Sequence, residues 1–170
     1  AEWTFAPVIC FEDTVPRVVR AAAKSAKDGK TVDCLVNLSN DGWFHGSSEL
    51  DQHLISSVFR AIECRTPLVR SVNTGISAYV DGDGAILEPD VFVDGDERGR
   101  DSFRDESGRI RKSLNALLVH EVPLDPRESF YLKYGDWFGQ TCGFGAVLLF
   151  LTGVFLRKPA PNVTNEKNPA

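Results

Sequence analysis

Residues 6–16, Ala6-Pro-Val-Ile-Cys10-Phe-Glu-Asp13-Thr-Val-Pro16, decide how the chain is read. The apolar run from Ala6 to Cys10 has the length of one buried strand. Two carboxylates and a threonine then lead to Pro16. Asp or Thr ahead of Pro is a helix start, because proline has no N–H to lose and its φ is already helical. The stretch to Asp28 is rich in Ala, Val and Lys, and Gly29 stands where a helix end favours glycine. Cys10 therefore sits at a strand-to-helix junction, where backbone N–H groups and the helix dipole favour a thiolate and can act as oxyanion donors. Alone, a cysteine there is more often a buried structural thiol, so the rest of the sequence has to decide.

Outward from this stretch, Asp33-Cys-Leu-Val-Asn-Leu38 reads as a second buried strand ending in the polar loop 39–46. A helix is expected from about Glu49 to Arg65. Leu50, Leu54, Val58 and Ile62 recur every four residues with Ile55 and Phe59 beside them, and Pro67 stops the run. Leu68–Val72 and Ser77–Val80 read as strands joined through Asn73-Thr-Gly75. Asp81-Gly-Asp-Gly84 is a tight hairpin turn into Ala85–Leu87. From Asp94 to Lys112, twelve of nineteen residues are charged, six of each sign, and the apolar ones show no period. That is the pattern of a solvated, flexible insertion with no folded element of its own. Leu114–Val122 resumes as a strand. Strand–helix–strand–helix–strand order argues for an α/β domain with helices packed on a sheet.

The chain has 170 residues, 42% apolar and 25% charged, enough for one domain with a core. A net charge of −5, with no Lys/Arg-rich run in residues 1–130, points away from a nucleic-acid partner. No basic segment followed by an apolar one opens the chain, and it contains no Met; it reads as a fragment whose beginning is missing. Cys10, Cys34, Cys64 and Cys142 are too scattered for a disulfide framework and form no C-x-x-C pair. His45 and His120 lack ligand-like spacing to His53. No metal and no cofactor are expected.

The last segment differs in kind. Trp137 to Leu156 carries no charge, and nineteen helical residues span roughly 28 Å at about 1.5 Å each, near the hydrocarbon thickness of a bilayer. Tyr134 and Trp137 mark one end, Arg157-Lys158 the other. The reading is a transmembrane helix over 137–157 with a cytoplasmic tail at 158–170, which puts the α/β domain on the extracytoplasmic side. A buried core helix is the competing reading.

Cys10-Phe-Glu-Asp13, Asn37-Leu-Ser-Asn-Asp-Gly-Trp-Phe44, His53, Arg60-Ala-Ile-Glu63, Pro67-Leu-Val-Arg70 and Asn73-Thr-Gly-Ile-Ser77 follow one another in order. Together they resemble the nitrilase (carbon–nitrogen hydrolase) superfamily, and specifically its apolipoprotein N-acyltransferase branch, from about Pro7 to Leu87 and again from about Ala116. The resemblance implies a nitrilase-type αββα sandwich, with residues 1–130 its carboxy-terminal part, followed by one transmembrane helix. It implies a Glu–Lys–Cys triad of which only the cysteine has a counterpart here, Cys10. The glutamate and lysine are expected upstream of Ala1, and the isolated chain is expected to be inactive. Glu12 matches a position supporting the nucleophile, or is simply a first-turn carboxylate. Phe11 stands where the family often has tyrosine. Phe11, Trp43 and Phe44 are the expected substrate-binding residues, with Trp43 and Phe44 in a loop facing the lipid entrance.

The implied reaction takes an acyl chain from a phospholipid onto Cys10 as a thioester. It then passes that chain to the amino terminus of a diacylglyceryl-cysteine apolipoprotein at the bacterial plasma (inner) membrane. A soluble amidase or nitrilase using water, and an inactive membrane-anchored binding module, remain competing readings. Asn40 and Asp41 are expected to order their loop by side-chain-to-backbone bonds. His53 is expected to be a satisfied packing histidine among apolar neighbours.

Overall fold

The computed structural model describes residues 2–26, 30–96 and 100–156. The chain divides into two units, Ala1–Gly135 and Asp136–Ala170. In the first, strand β1 (Phe5–Ile9) passes through a 3-10 turn (Cys10–Thr14) into helix α1 (Pro16–Ala23). Next come β2 (Cys34–Asn40), a second 3-10 turn (Gly42–Phe44), α2 (Glu49–Cys64), β3 (Leu68–Asn73), β4 (Ala78–Val80) and β5 (Ile86–Leu87). The unit ends with β6 (Val91–Asp94), β7 (Ala116–Val119) and α3 (Phe130–Tyr134), and the second unit holds α4 (Trp137–Phe155).

Strands β1 to β5 lie side by side in chain order, giving the expected α/β class. The first three are parallel, so that Val8 faces Asn37 and Asn37 faces Arg70, and β4 and β5 are antiparallel additions. Both parallel crossovers step the same way across the sheet. The right-handed crossover preference then puts α1 and α2 on one face. That face is the core: Ala6, Val8, Leu35, Leu68 and Val80 meet Val19, Ala23, Ala61 and Cys64. Beside it, Leu50 and Leu54 of α2 pack with Ile76 and Ala78. Period-two alternation sends the intervening side chains to the other face, where Phe5 is 61%, Ile9 51% and Leu38 47% exposed.

Several expectations need correction. The strand does not run directly into an α-helix. Cys10 adopts φ +52°, which breaks the strand, and Thr14 Oγ1 donating to the Phe11 carbonyl (2.8 Å) closes a 3-10 turn. Pro16 is the first-turn residue of α1, as its chemistry predicts. Helix α1 stops at Ala23 because the Val32 N–H takes the Ala23 carbonyl (2.9 Å) as the chain folds back into the core. Gly29 lies outside the described residues.

The charged stretch, expected to hold no folded element, is bracketed by the antiparallel β6–β7 pair. It contains an Arg104–Ile110 bridge and a buried Phe103. Among its described residues, Arg100 pairs with Asp94 and Asp96, while Arg104 and Lys112 reach out to Glu88 and Asp51, so ion pairs inside and outside the stretch hold these polar side chains. Neither β6 nor α3 was foreseen. The latter is capped by Ser129, whose Oγ accepts from the Leu132 N–H (3.0 Å), and is tied to α1 by Arg20 Nε donating to the Tyr131 and Leu132 carbonyls (both 3.0 Å).

In the second unit, α4 is long and apolar enough to cross a membrane. Its apolar residues are exposed around the whole circumference, Phe144, Leu149, Phe150 and Phe155 among them, so it has no core-facing stripe. Arg157, Lys158 and the tail 158–170 lie outside the described residues.

Leu35, fully buried between α1 and its sheet neighbours, supplies a test of this core. Leu35→Ala is expected to cost about 2–5 kcal/mol, read as a lower urea midpoint at unchanged m-value. A loss within about 0.5 kcal/mol would show the side chain is not in the core.

Candidate active site

The parallel strands β1, β2 and β3 end at one edge of the sheet, and each is followed by a loop with a residue in the left-handed region. Cys10 (φ +52°) follows β1, His45 (φ +46°) closes the turn after β2, and Thr74 (φ +57°) follows β3. A non-glycine residue there costs about 1–3 kcal/mol and persists only where its surroundings fix it; such residues concentrate at functional sites. The carboxyl edge of parallel strands is also where open α/β sheets place their ligand sites.

What fixes these loops is a buried polar network directly beneath Cys10. The Asn37 amide, on the inner face of β2, donates to the carbonyls of Val8 (3.3 Å) and Cys10 (3.2 Å). Arg70, on the inner face of β3, has no exposed side-chain surface. Its Nη1 donates to Asp13 Oδ2 (2.9 Å), Asn37 Oδ1 (2.8 Å) and Ser57 Oγ (2.8 Å). Its Nη2 donates to Asp41 Oδ2 (3.0 Å), and its Nε to the Ile76 carbonyl (3.2 Å). Asp13 belongs to the Cys10 turn and Asp41 to the Trp43 loop. Arg70 thus ties both loops to β3, while Ser57 donates to Asp13 and Ser39 to Asp41 (2.6 Å). Burial lowers the Arg70 pKa from its ordinary value, against the pull of Asp13 and Asp41.

His53 lies between the same two carboxylates, Nε2 2.9 Å from Asp13 Oδ1 and Nδ1 3.0 Å from Asp41 Oδ2. Burial opposes charge on this ring and Arg70 adds to that opposition. The Asp13 hydrogen bond and the charges of Asp13 and Asp41 outweigh them, and its pKa is raised. Gly75 completes the packing: a Cβ there would press on the Val72 side chain and stand 2.8 Å from Asp41 Oδ2.

Cys10 is partly exposed. Phe11 stacks on the His53 ring (centroids 4.8 Å apart, 12° between planes), and Phe44 meets Phe11 edge-on at 5.7 Å. Trp43 is 75% exposed. Glu12 accepts the Ile9 N–H at 2.7 Å, bracing the turn that carries Cys10. Among the described residues, cavities of about 200 Å³ and 880 Å³ are lined elsewhere, beside β3–β4 and beside residues 124–133, and do not include Cys10.

His53 is satisfied, as expected, with Phe11 and Phe44 packed on its ring, but its hydrogen-bond partners are two buried carboxylates. Asp41 bonds to side chains and not to backbone; only Asn40 Oδ1 takes a loop amide, that of Gly42 (3.3 Å). Asp13, Asn37, Ser57 and Arg70 were given no role in advance. The available signal was polarity on inward positions: His53, Ser57 and Arg60 share the face of α2 that carries Leu50 and Leu54, and Arg70 interrupts a strand of buried aliphatics.

The sequence model of the carbon-nitrogen hydrolase family matches residues 2–95. The chain belongs to that family, and its mixed sheet with helices on one face is consistent with the family fold. It is 37% identical over 142 residues to the apolipoprotein N-acyltransferase of Geobacter metallireducens, covering 84% of this chain and 22% of that protein. Against the Thermotoga maritima apolipoprotein N-acyltransferase it is 32% identical over 152 residues, covering 88% and 24%. Against that of Bdellovibrio bacteriovorus it is 45% identical over 80 residues, covering 47% and 14%. The chain therefore spans less than a quarter of the length of these curated relatives.

Two measurements check the site. Arg70→Met removes the guanidinium that buried Asp13 and Asp41 share and is expected to cost about 3–5 kcal/mol, seen as a lowered denaturation midpoint; an unchanged midpoint contradicts the network. Burial pushes the Cys34 thiol up to about 11, with Asp33 adding to the rise against a backbone hydrogen bond at Val69. Burial likewise pushes Cys64 up to about 12, Glu63 adding to it and Arg60 and Arg20 opposing it. A maleimide at neutral pH is therefore expected to modify Cys10 in the folded α/β unit and to leave Cys34 and Cys64 intact, as read by peptide mass. Labelling of all three at equal rates would contradict this.

Proposed function

We propose that this chain is the cysteine-bearing, carboxy-terminal part of an apolipoprotein N-acyltransferase, with Cys10 as its nucleophile. The observation that carries the reading is the placement of Cys10. It is a partly exposed thiol on a left-handed strand-to-helix turn, braced from below by Asn37 and followed by Phe11, whose ring meets Phe44 edge-on. Sharp strained turns expose nucleophiles in the same way in other acyl-transfer enzymes.

In this reading the Cys10 thiolate attacks the ester carbonyl of a phospholipid acyl chain. Backbone amides of the following turn stabilise the oxyanion. The tetrahedral adduct collapses by breaking its C–O bond, and the departing lysophospholipid alkoxide takes up the proton that a base had drawn from the Cys10 thiol. The free α-amino group of a diacylglyceryl-cysteine apolipoprotein then attacks the thioester. The C–S bond breaks, thiolate is regenerated, and the amine gives its surplus proton to a base. That base, the family glutamate, and the accompanying lysine are proposed to come from parts of the full-length protein outside this chain, which alone is then inactive. Glu12 supports the nucleophile by holding the Ile9 N–H. Phe11, Trp43 and Phe44 present apolar surface to the acyl chain and exclude the water that would intercept the thioester.

The open sheet face bearing Phe5, Ile9 and Leu38 fits the second sheet of an αββα sandwich. We place α4 across the bacterial inner membrane as a transmembrane helix over 137–157, with the tail 158–170 cytoplasmic and the catalytic domain extracytoplasmic.

The test uses the full-length enzyme, a phospholipid with a labelled acyl chain, and a diacylglyceryl lipopeptide with a free amine. Cys10→Ala and Cys10→Ser are each expected to abolish lipopeptide acylation. Acylation surviving in Cys10→Ala refutes the nucleophile, and release of the label to water in preference to the amine favours a hydrolase.

A further inference from the structure

We propose that His53, as an imidazolium, is a positioning residue that ties the turn carrying Cys10 to the loop carrying Trp43 and Phe44. The geometry is a bridge. Nε2 points at Asp13, three residues after Cys10, and Nδ1 points at Asp41, two residues before Trp43, at 2.9 Å and 3.0 Å. A neutral ring has one N–H and must aim a lone pair at one of the two carboxylates; only the doubly protonated ring donates to both. His53 sits on α2, so the helix, the nucleophile turn and the Trp43 loop meet at one side chain. The rings proposed to line the acyl site also rest on it, Phe11 face to face and Phe44 edge-on at 6.4 Å. Loss of its proton therefore reaches the acyl site through both carboxylates and through the stacked ring.

The charged groups around the ring come from four elements. Asp13 comes from the 3-10 turn, Asp41 from the loop after β2 and Arg70 from β3. Arg60, on α2 itself, reaches the Asp13 carbonyl at 3.5 Å. Arg70 balances one carboxylate, and the imidazolium balances the other. The ring's pKa is raised, so the stabilisation it provides is fully present below the unfolded histidine value near 6.5. It is lost as pH rises through the higher folded value.

The activity part of this inference rests on Cys10 being the nucleophile; the titration part does not. In the full-length enzyme with 15N-labelled histidine, the His53 ring, assigned by its absence in His53→Gln, is expected to titrate with a midpoint above 6.5 and to carry protons on both nitrogens below it. A midpoint at or below 6.5, or a single-proton tautomer at low pH, overturns the bridge. Single-turnover acylation of Cys10 by a labelled phospholipid is expected to fall as pH rises through that midpoint. In His53→Gln it is expected to be roughly ten- to a hundredfold slower at low pH and to lose this limb. A His53→Gln enzyme with the unchanged wild-type limb overturns the positioning role. If His53→Gln does not fold, the wild-type ring is assigned by its coupling to Asp13 and Asp41 and its midpoint alone decides. Acylation persisting in Cys10→Ala would sink the nucleophile while leaving the titration result standing.

Discussion

One guanidinium holds the site together. Arg70 is sealed beneath the sheet edge and donates to carboxylates from two separate loops, to Asn37 and to a main-chain carbonyl. Moving such a group out of water is costly, and only a full set of partners offsets the cost. Because those partners sit on the Cys10 turn and the Trp43 loop, satisfying Arg70 also fixes where Cys10 and Trp43 stand. The left-handed backbone at Cys10, unfavourable by itself, persists because Asn37 and Asp13 anchor the residues on either side of it. Fold stability and the geometry of the candidate site are joined at one side chain.

Much of the fold could be read from the chain. Leu50, Leu54, Val58 and Ile62 marked α2 almost to the residue, since a four-residue apolar period sustained from Leu50 to Ile62 has few other solutions. The buried runs around Val8, Leu35 and Leu68 gave the three parallel strands. What escaped was whatever depends on distant partners. Helix α3, capped locally by Ser129, is held in place by Arg20, more than a hundred residues earlier, which donates to its carbonyls, and the sequence of Phe130–Tyr134 does not announce that contact. Strand β6 is four residues long and is defined by its pairing with β7 across the charged stretch.

The candidate site was legible in its parts and not in its assembly. Cys10, Phe11, Glu12, Trp43 and Phe44 were all named from motif and position, and Phe11 and Phe44 do come together, around His53. The ring they surround was expected in an apolar setting because its helical neighbours are apolar. Its true partners, Asp13 and Asp41, arrive from other elements. A buried charge network is a statement about three-dimensional satisfaction, and polarity on an inward-facing position is its only trace in one dimension.

In this member of the carbon-nitrogen hydrolase family, the Cys10 sulfur is partly exposed on a left-handed turn that ionic contacts below it hold in place. The most direct measurement is to incubate the full-length enzyme with a phospholipid as sole acyl donor and locate the protein-bound acyl group by tandem mass spectrometry. The account predicts a hydroxylamine-labile acyl group on the peptide containing Cys10. An acyl group found reproducibly on a different residue, with Cys10 unmodified while lipopeptide transfer proceeds, would contradict it.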